Sequence, residues 1–480
     1  MPTQAAEAPH AAEPLRRERR CPPRLIPPAP PPAASGLSVL RPLRALRALR
    51  AMRRNALTIW PAQAYEELVL HRRLLRTDAY LISDPAAAHH VLAANSDNYV
   101  RPAGARRLVL PWTGRGLLVA EGSAWRRQRR LLAPAFGPRR VEALLPRFAA
   151  AGRRMLQRLD ARARVNLAAV FQQAALDGFL DAAFSGSLDH AADRIARLHR
   201  AYIARAVRVS PLDYLARRDT DFASPISARV RLGRAARVIV NELIAARRAQ
   251  QPRQADDADV LDVLLAARAP DTGAPLSDVE IGDEVATLLA TGFGNSGRLM
   301  FWTAYLLSRD SGEQARVREE VSRAPPADVR SLDDLQRWPR LMCVMLEALR
   351  LYPPVHVLVR VAEAADEIGG MEIAPGAVIA VSPWVMHRHR ALWEHPEVFM
   401  PERFAGLRRG GPSDNAYLPF GAGPRVCIGA TFGMTEAMLM LAQLFERYET
   451  TLDDDRPLMP VSIVTTAPSI EPLFRLTRTA

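Results

Sequence analysis

FGAGPRVCIG, residues 420–429, places a single cysteine, Cys427, among glycines and one proline. Glycine has no Cβ, so the backbone here can pass close to a large, flat partner. Arg425 stands two residues before the thiol, and a fixed cation favours the thiolate form. The following sequence, GATFGMTEAMLMLAQLF (429–445), predicts a helix that begins just after the cysteine. Because the positive end of a helix dipole also favours a thiolate, the stretch predicts an activated, well-presented sulfur.

An activated thiolate serves in proteins either as a nucleophile or as a metal ligand. A nucleophilic cysteine works with a general base, and the sequence around Cys427 offers no local His or Asp for that role. The metal-ligand role is therefore favoured.

The same stretch matches the pattern F-x-x-G-x-R-x-C-x-G at every fixed position, and the match extends to Glu436 in the next helix. This pattern resembles the heme-binding signature of the cytochrome P-450 family, the heme-thiolate monooxygenases. The resemblance covers about residues 60–480. It implies a heme b (iron protoporphyrin IX) with Cys427 as the axial iron ligand. It also implies cofactor contacts from Phe420, Gly421 and Arg425.

The pattern of apolar residues predicts a mainly α fold with small β sheets. Of the 480 residues, 49% are hydrophobic, which is ample for one large core. Two segments, 78–84 and 367–383, carry strand-like patterns. The resemblance implies the same architecture, the cytochrome P-450 fold in a single large domain. Helices are predicted for the acidic stretch 254–268 and for the long amphipathic runs 138–160, 190–208, 226–249, 277–309 and 332–352.

The N-terminal region differs in composition from the rest of the chain. Residues 1–54 hold eleven arginines and three glutamates, so they contribute +8 of the net charge of +14, and every basic residue in the chain is arginine. Residues 1–55 are predicted to be a disordered Pro/Arg-rich arm, most clearly over about 1–35, and residues 56–480 the heme-thiolate catalytic domain. LRALRALRAMRR (43–54) could form a basic amphipathic helix, but a leucine period of three smears its apolar face. A solvated arm is favoured over membrane-surface contact, and nucleic-acid binding is not expected.

The sequence near the N-terminus has no apolar stretch of 18 residues and no signal-peptide core, so a cytoplasmic protein is expected. Its three cysteines are far apart and none forms C-x-x-C, which argues against a disulfide framework and a zinc cluster. His387, His389 and His395 lie close together in sequence, but they fall in a stretch that the family resemblance explains without a metal.

A buried ion-pair cluster is predicted from LEALRLYPP, residues 346–354. Glu347 and Arg350 are three residues apart on a helix, so their side chains meet on one face. The helix is otherwise apolar, so the pair is expected to be buried and to need a further partner. The resemblance supplies Arg403, from the segment PERF (401–404), as the third member of a triad that locks the heme-side loop.

Two further segments resemble the family's propionate-binding positions. Trp125 and Arg129, one helical turn apart in GSAWRRQRRLLAPAF (122–136), resemble a W-x-x-x-R pair, and Arg360 resembles the arginine that contacts the other propionate. The planar fork of arginine suits carboxylates. On the same helix as Trp125, the arginines 126, 127 and 130 form a basic face. The resemblance implies that an acidic ferredoxin or flavodoxin, supplied by its reductase, docks on that side.

The predicted oxygen-activating helix departs from its family. The run EVATLLATGFGNSGRLMFWTAYLL (284–307) aligns with the helix that crosses the heme, where most members read A/G-G-x-D/E-T-T/S. Here Gly294 replaces the acid and Asn295 the alcohol, and Gly292 and Ser296 alone fit. Three mid-helix glycines cost about 3 kcal/mol in helix propensity. They predict either a widened turn that makes room for dioxygen or substrate, or close helix packing. Asn295, Ser296 and Gly292 are the predicted catalytic residues.

Three functions fit these residues. The first is a monooxygenase that inserts one oxygen atom from O2 into a small hydrophobic substrate, with electrons from separate redox partners because no reductase domain follows in the sequence. The alternative is a peroxide-driven peroxygenase or a rearranging heme-thiolate enzyme, since the acid–alcohol pair is missing. The third is a heme-binding protein without turnover. Segments 101–115, 205–225 and 355–358 are expected to line a pocket for a lipid, terpenoid or polyketide-sized molecule, with His356 in its wall. Fatty-acid peroxygenases of this superfamily place an arginine over the heme to hold the substrate carboxylate, and for the peroxygenase alternative the resemblance offers Arg298, three residues past Asn295, as that anchor.

Overall fold

A computed structural model describes residues 25–33 and 49–478, apart from 75–76, 160–163, 186–190, 211, 214–215, 222–223, 225, 251–257, 269–272 and 407–414. Within these limits the chain is mostly helical. The helices are α1 Pro85–His89, α2 Ala103–Thr113, α3 Gly122–Leu132, α4 Pro138–Ala143, α5 Leu145–Leu159, α6 Leu167–Phe184, α7 Ala192–Arg205, α8 Ala228–Arg248, α9 Val260–Ala266, α10 Asp278–Thr291, α11 Gly294–Arg309, α12 Ser311–Arg323, α13 Pro339–Leu351, α14 Pro383–Met386 and α15 Ala430–Arg447.

The strands form small sheets, as predicted. They are β1 Val69–Leu74, β2 Thr77–Ile82, β3 Tyr99–Val100, β4 Arg164–Val165, β5 Leu358–Ala362, β6 Asp366–Ile368, β7 Met371–Ile373, β8 Val378–Val381, β9 Tyr448–Leu452, β10 Pro460–Ser462, β11 Thr466–Pro468 and β12 Phe474–Arg478. One sheet has the order β1-β2-β8-β5-β3, in which β2 and β8 are parallel. A second has the order β4-β12-β9, and two hairpins pair β6 with β7 and β10 with β11. The mainly α architecture with small sheets is confirmed.

The core lies where α5, α6, α11 and α15 pack together. The α6 and α15 helices are apolar on nearly all sides, so they are buried rather than half-exposed. Phe148 and Phe432 meet edge to face at 4.8 Å between ring centroids, and Phe179 packs on Phe432 at 6.1 Å. Burial of each such ring stabilises the fold by roughly 1.5–3 kcal/mol. This core fixes α11 and α15 against each other, and both helices carry predicted site residues.

Helix boundaries follow local signals that the amphipathic pattern alone did not resolve. The predicted run 138–160 is divided at Leu144. The run 332–352 starts with a 3-10 helix, Asp333–Arg337, and becomes α-helical only at Pro339, a residue suited to the first turn because it lacks an N–H. In the acidic stretch 254–268, Asp259 caps α9 and forms a capping box with Asp262. The run 277–309 is two helices, which separate at residues 292–293.

The predicted disorder of residues 1–35 is wrong for residues 25–33. This segment lies extended against the domain, where the amide of Phe399 donates to the carbonyl of Leu25 at 2.9 Å and the Tyr352 hydroxyl to that of Pro28 at 3.1 Å. Pro27 and Pro30 are buried, so the proline rings pack on a core that later parts of the chain provide. Residues 1–24 and the first half of the repeat at 43–54 lie outside the described residues, and 49–54 are helical. Among the helices that the structure describes, none combines the length and apolarity needed to cross a bilayer.

Candidate active site

The loop before α15 holds Cys427 in a tight, glycine-dependent conformation. The Cys427 amide donates to the Phe420 carbonyl at 3.0 Å, which closes the loop. Gly421 and Gly423 have φ angles of 76° and 68°, the left-handed region that glycine adopts without strain. At Gly423 a Cβ atom would lie 2.1 Å from the carbonyl oxygen of Leu92, so no side chain fits there. Gly421 and Gly423 therefore shape the loop.

The cation that lowers the pKa of the Cys427 thiol is Arg129 and not Arg425. Cys427 is exposed, but the protein atoms crowded around it raise the pKa of its thiol. A hydrogen bond from the Gly429 backbone and the charge of Arg129 lower that pKa and oppose the burial. Arg129 lies on α3, one turn after Trp125. The sequence predicted that Arg425 stabilises the thiolate, but in the structure this effect comes from the charge of Arg129 on α3.

Arg425 instead joins the cysteine loop to the start of α3. Its guanidinium forms an ion pair with Glu121 and donates to the carbonyl of Ala120 at 3.2 Å. It also lies over the ring of Trp125, with 4.6 Å from Cζ to the ring centroid. A cation over an indole face is attracted to the ring's electrons. Trp125 is buried, so two predicted cofactor residues support each other directly.

Three arginines, Arg101, Arg360 and Arg425, lie close enough to affect one another's charge, and two of them pair with one carboxylate. Arg101 pairs with Glu121 at 3.2 Å, the acid that Arg425 also contacts. Arg360 is 8% exposed, and burial, followed by the charges of Arg101 and Arg425, lowers its pKa to about 10. Its side chain donates to the Val359 carbonyl at 2.9 Å. The cluster therefore carries an excess of positive charge inside the protein, which two carboxylates of a bound group would neutralise.

Sequence reasoning missed Arg101 and Glu121 as members of this cluster. Arg101 stands at the start of a segment that was assigned to the pocket wall, and Glu121 precedes the first residue of α3. One local signal was available for Glu121: its carboxylate stands just before the helix whose first turns carry Trp125 and Arg129. The contact that defines its role spans 304 positions, from Glu121 to Arg425, which no local pattern reveals.

The predicted triad is confirmed as a set of contacts. Nε and Nη2 of Arg350 donate to the two oxygens of Glu347, each at 2.7 Å, and both side chains are fully buried. Arg403, in the helical turn Pro401–Phe404, approaches the same carboxylate at 3.3 Å. Arg350 uses its remaining donors on the carbonyls of residues His387, Pro396 and Val398. The cluster ties α13 to the segment that leads toward the cysteine loop.

The segment predicted to activate oxygen contains a break between α10 and α11. Helix α10 ends at Thr291 and α11 begins at Gly294, with Phe293 at φ −124° and ψ −30° between them. Two side chains from neighbouring helices bond carbonyls at the break. Nε2 of Gln172 donates to the carbonyl of Gly294 at 2.9 Å, and the His199 ring donates to that of Ala290 at 3.2 Å. Burial lowers the pKa of His199 to about 4, so its ring is neutral at pH 7.

The glycines of this break serve different purposes. A Cβ at Gly292 would lie 2.3 Å from the Phe179 ring, and one at Gly297 would lie 2.4 Å from Gln172 Nε2. These two glycines are required by the packing of α6. At Gly294, by contrast, a Cβ would meet His199 at 3.5 Å, an ordinary contact. The position that replaces the family's acid thus has room for a side chain.

The three predicted catalytic residues do not converge on one point. Gly292 packs on Phe179, and Ser296 is buried near Glu436 of α15. Burial raises the pKa of Glu436 far above its usual value, and neither carboxylate oxygen has a hydrogen-bond partner among the described residues. Asn295 is half-buried and points about 100° away from Ser296 around the helix.

The predicted basic face on α3 is partly neutralised. Arg126 pairs with Asp97 at 2.9 Å, and Arg127 pairs with Glu280. Arg130 is exposed and donates to the Arg126 carbonyl at 3.4 Å. His387, one of three histidines noted in sequence, accepts from the amide of Leu418 at 2.8 Å. Among the residues that the structure describes, no group of three His, Cys, Asp or Glu side chains is arranged to hold a metal ion.

Comparison with known proteins places these features in a family. The family model described as Cytochrome P450 matches residues 47–474. The chain is 33% identical over 392 residues to cyclooctatin synthase of Streptomyces melanosporofaciens, covering 78% of this chain and 81% of that protein. It is 30% identical over 416 residues to protein LUTEIN DEFICIENT 5 of Arabidopsis thaliana, covering 81% and 67%. The fold is similar to that of retinoic acid-bound cyanobacterial CYP120A1, with TM-score 0.74, 23% identity and coverage of 86% and 92%.

Proposed function

The chain belongs to the cytochrome P450 family, and from this premise we propose that it is a monooxygenase that holds heme b through the Cys427 thiolate and receives electrons from separate redox proteins. The single observation that carries the proposal is the placement of Cys427. Its sulfur stands before the N-terminus of α15, where the charge of Arg129 on α3 lowers its pKa, and Arg425 of the same loop belongs to the arginine cluster. Both the helix dipole and the cation favour a thiolate.

The residues fit a heme. Arg101, Arg360 and Arg425 offer more guanidinium groups than Glu121 can neutralise, and the two propionates of heme b would supply the missing charge. Gly421 and Gly423 keep the loop thin where a flat macrocycle would lie against it. Bound heme supplies the oxygen-activating redox chemistry of the reaction, and a thiolate ligand donates electron density to it. Arg129 would favour the thiolate form of Cys427 against the burial that raises its pKa, and Trp125 would hold Arg425 in place.

Proton supply is the part of the reaction for which this chain has unusual residues. Gly294 has no acid to offer, so the proton donor must be another group. The Asn295 amide can donate a hydrogen bond and can hold a water molecule at the half-buried break. Gln172 and His199 would keep that break open by bonding its carbonyls. Ser296 and the carboxyl of Glu436, which burial keeps protonated, would supply further protons from the side of α11 that faces α15.

A second function, peroxide-driven oxygenation, is favoured by one observation. Position 294 has room for a side chain, yet glycine stands there in place of the acid. A peroxygenase needs no acid–alcohol pair, because peroxide brings its own protons and electrons. The two functions differ in the oxidant and not in the fold or in the cysteine ligand.

Paired turnover separates them. Heme-loaded protein is incubated with a pool of fatty acids, terpenoids and steroids, in one sample with NADPH, a surrogate ferredoxin and its reductase, and in another with hydrogen peroxide alone. Oxygenated product in the electron-fed sample supports the proposal, and product in the peroxide sample alone contradicts it. In the Gly294→Asp/Asn295→Thr variant, which restores the family pattern, electron-fed product per NADPH should rise if proton supply limits the reaction.

The heme ligand has its own test. The carbon monoxide spectrum of the reduced protein should carry the thiolate signature, and Cys427→Ser should lose it while keeping most of the fold. Cys343→Ser is the matched control, since that buried thiol lies on α13, outside the cysteine loop. A thiolate signature that survives in Cys427→Ser would overturn the assignment.

Partner and location stay proposals. An acidic ferredoxin or flavodoxin would dock on the α3 side, where Arg130 is exposed and Arg126 is only weakly held by an exposed Asp97. Raising the salt concentration should slow electron transfer if charges guide this docking. The substrate is proposed to be hydrophobic, of lipid, terpenoid or polyketide size. The cytoplasmic location, the boundary at residue 55 and a membrane contact of the arm remain predictions from sequence.

A further inference from the structure

Asp366, the first residue of β6, accepts hydrogen bonds from three side chains of one earlier segment. Its Oδ2 atom accepts from the Tyr99 hydroxyl at 2.6 Å, from the His90 ring at 2.8 Å and from the Asn95 amide at 3.0 Å. Its Oδ1 atom accepts from the backbone N–H of Glu367 at 2.8 Å. Burial raises the pKa of the Asp366 carboxyl, but these hydrogen bonds outweigh burial and lower that pKa to about 2. Asp366 is therefore ionised at neutral pH, and hydrogen bonds to an ionised group are the strong ones.

Two of the three donors lie at the ends of a π turn, His90–Ala94. His90 is its first residue, and Asn95 follows its last. The backbone N–H of Asn95 donates to the His90 carbonyl at 2.8 Å, so the bond spans five residues where an α-helical bond spans four. Such turns are rare, and they occur frequently at functional sites. Because Asp366 bonds the side chains of both His90 and Asn95, its carboxylate joins the two ends of the turn a second time.

The π turn lies directly against the cysteine loop. A Cβ atom at Gly423 would lie 2.1 Å from the carbonyl oxygen of Leu92 and 2.7 Å from Cα of Ala93. Gly423 is the first residue of the helical turn Gly423–Arg425, and Cys427 stands two residues after that turn. The side chain of Leu92 is buried in the core. The π turn therefore forms one wall of the loop that carries the thiol.

The third donor belongs to the part of the segment that leads to the arginine cluster. Tyr99 is the first residue of β3, and Arg101 stands two positions later. Arg101 pairs with Glu121, the carboxylate that Arg425 also contacts. Asp366 thus holds one segment that touches the cysteine loop at its start and joins the arginine cluster at its end.

We propose that Asp366 is a positioning residue: it holds the π turn against the cysteine loop, and the turn keeps the Cys427 thiolate in the position that binds the iron of a heme. The inference rests on the proposed heme-thiolate function and adds to it a residue outside both the cysteine loop and the arginine cluster. Without the carboxylate, the side chains at both ends of the turn lose their partner, and the loop gains freedom to move. The fold should be retained, because β3 still pairs with β5.

The test compares heme-loaded Asp366→Asn with the unaltered protein in two measurements. The first is hydrogen–deuterium exchange read by mass spectrometry. The amides of residues 420–429 should exchange about 10- to 100-fold faster in the variant, the usual effect of losing a hydrogen bond to a charged group. The second is the lifetime of the thiolate signature in the carbon monoxide spectrum of the reduced protein, which should shorten by a similar factor.

Asp454→Asn is the matched control. The Asp454 carboxylate accepts from the side chain of Arg456 and from the backbone N–H of Leu473, just beyond the end of β9. This variant therefore also loses bonds to a charged carboxylate, but in a different sheet, and it should leave both measurements unchanged.

Three results would overturn the proposal. Residues 420–429 could exchange at the unaltered rate in Asp366→Asn, Asp454→Asn could speed their exchange equally, or exchange could rise while the thiolate signature keeps its lifetime. If Asp366→Asn does not fold, Asn95→Ala, which removes the bond at one end of the turn, decides by the same two measurements. Failure of the enzyme assignment would show separately, because the unaltered protein would then lack the thiolate signature, whereas the exchange of residues 420–429 would still test whether Asp366 steadies the loop.

Discussion

Gln172 Nε2 donates a hydrogen bond of 2.9 Å to the carbonyl oxygen of Gly294, across 122 positions of sequence. The same amide group stands 2.4 Å from where a Cβ of Gly297 would be. The Gln172 side chain of α6 therefore has two effects. It donates a hydrogen bond at the break between α10 and α11, and it leaves space only for glycine at position 297. Helix breaks have identifiable causes, and here a polar side chain enters the helical ladder.

Replacing Gln172 by Leu should destabilise the protein. The Gly294 carbonyl would lose its partner in a half-buried place, which costs about 1–2 kcal/mol. The free energy of unfolding from urea titration measures this. Gln173→Leu is the control, because Gln173 bonds only the side chain of Asp177, one turn away on the same helix. Equal effects of the two changes would mean that the break does not depend on Gln172.

Replacing Glu347 by Ala should prevent stable folding or heme loading. Arg350 would be left fully buried with no carboxylate, and breaking a buried pair in this way costs about 3–5 kcal/mol. Heme content per protein and the thermal midpoint report the loss. Glu363→Ala removes an exposed carboxylate near β5 and should leave both values unchanged. Full heme loading in Glu347→Ala would count against the role given to the triad.

The free energy of unfolding should fall as pH rises from 4.5 to about 7, because the carboxyl of Glu284 loses its proton over that range. This side chain is 3% exposed and accepts from the Leu117 amide at 3.0 Å, and burial raises its pKa from 4.5 to about 7. The folded protein thus holds this proton more tightly than the unfolded chain. The contribution is fully present below pH 4.5 and is lost as pH rises to about 7, a change of about 3 kcal/mol at most.

Glu284→Gln should remove this slope. Urea titrations at several pH values between 4.5 and 8 compare the free energy of unfolding of the variant with that of the unaltered protein. The variant should lose less stability over the range, because Gln does not ionise. Glu363→Gln, exposed and elsewhere, should retain the original slope. Parallel curves for Glu284→Gln and the unaltered protein would show that Glu284 does not titrate in this window.

Gly423→Ala should damage the cysteine loop. Its added Cβ would press on the Leu92 carbonyl, and φ of 68° is unfavourable for alanine, so a loss of about 1–3 kcal/mol is expected. Gly312→Ala, in the first turn of α12 with an ordinary contact at 3.5 Å, should be neutral or stabilising. The thermal midpoint of each variant decides, and equal midpoints would contradict the packing argument.

Sequence reasoning found the parts of the site whose signal is local. Cys427 and its glycines form one short motif, and Glu347 and Arg350 are three residues apart on one helix. It missed Gln172, His199 and Glu121, because their roles exist only where distant segments meet. The sequence also could not tell that Gly292 is required by packing whereas Gly294 is not. That difference is visible only when the neighbouring helices are in place.

The same limit explains the error at residues 25–33. The prediction of disorder considered only whether the segment can bury apolar surface by itself, which a proline run cannot do. The surface that covers Pro27 and Pro30 belongs to other parts of the domain. The periodicity of 277–309 predicted one run because the apolar pattern continues across the break at Phe293, whereas the glycines of the same run did predict a widened turn there.

The docking of residues 25–33 sets an order for folding during synthesis. Pro28 bonds Tyr352, 324 positions later, and Leu25 bonds Phe399, which leaves the ribosome later still. At about 5–20 residues per second, the segment waits on the order of tens of seconds for its partners. The first described residues to be synthesised are thus among the last to reach their folded positions. They can dock only after translation has passed α13, the helix that carries Glu347 and Arg350.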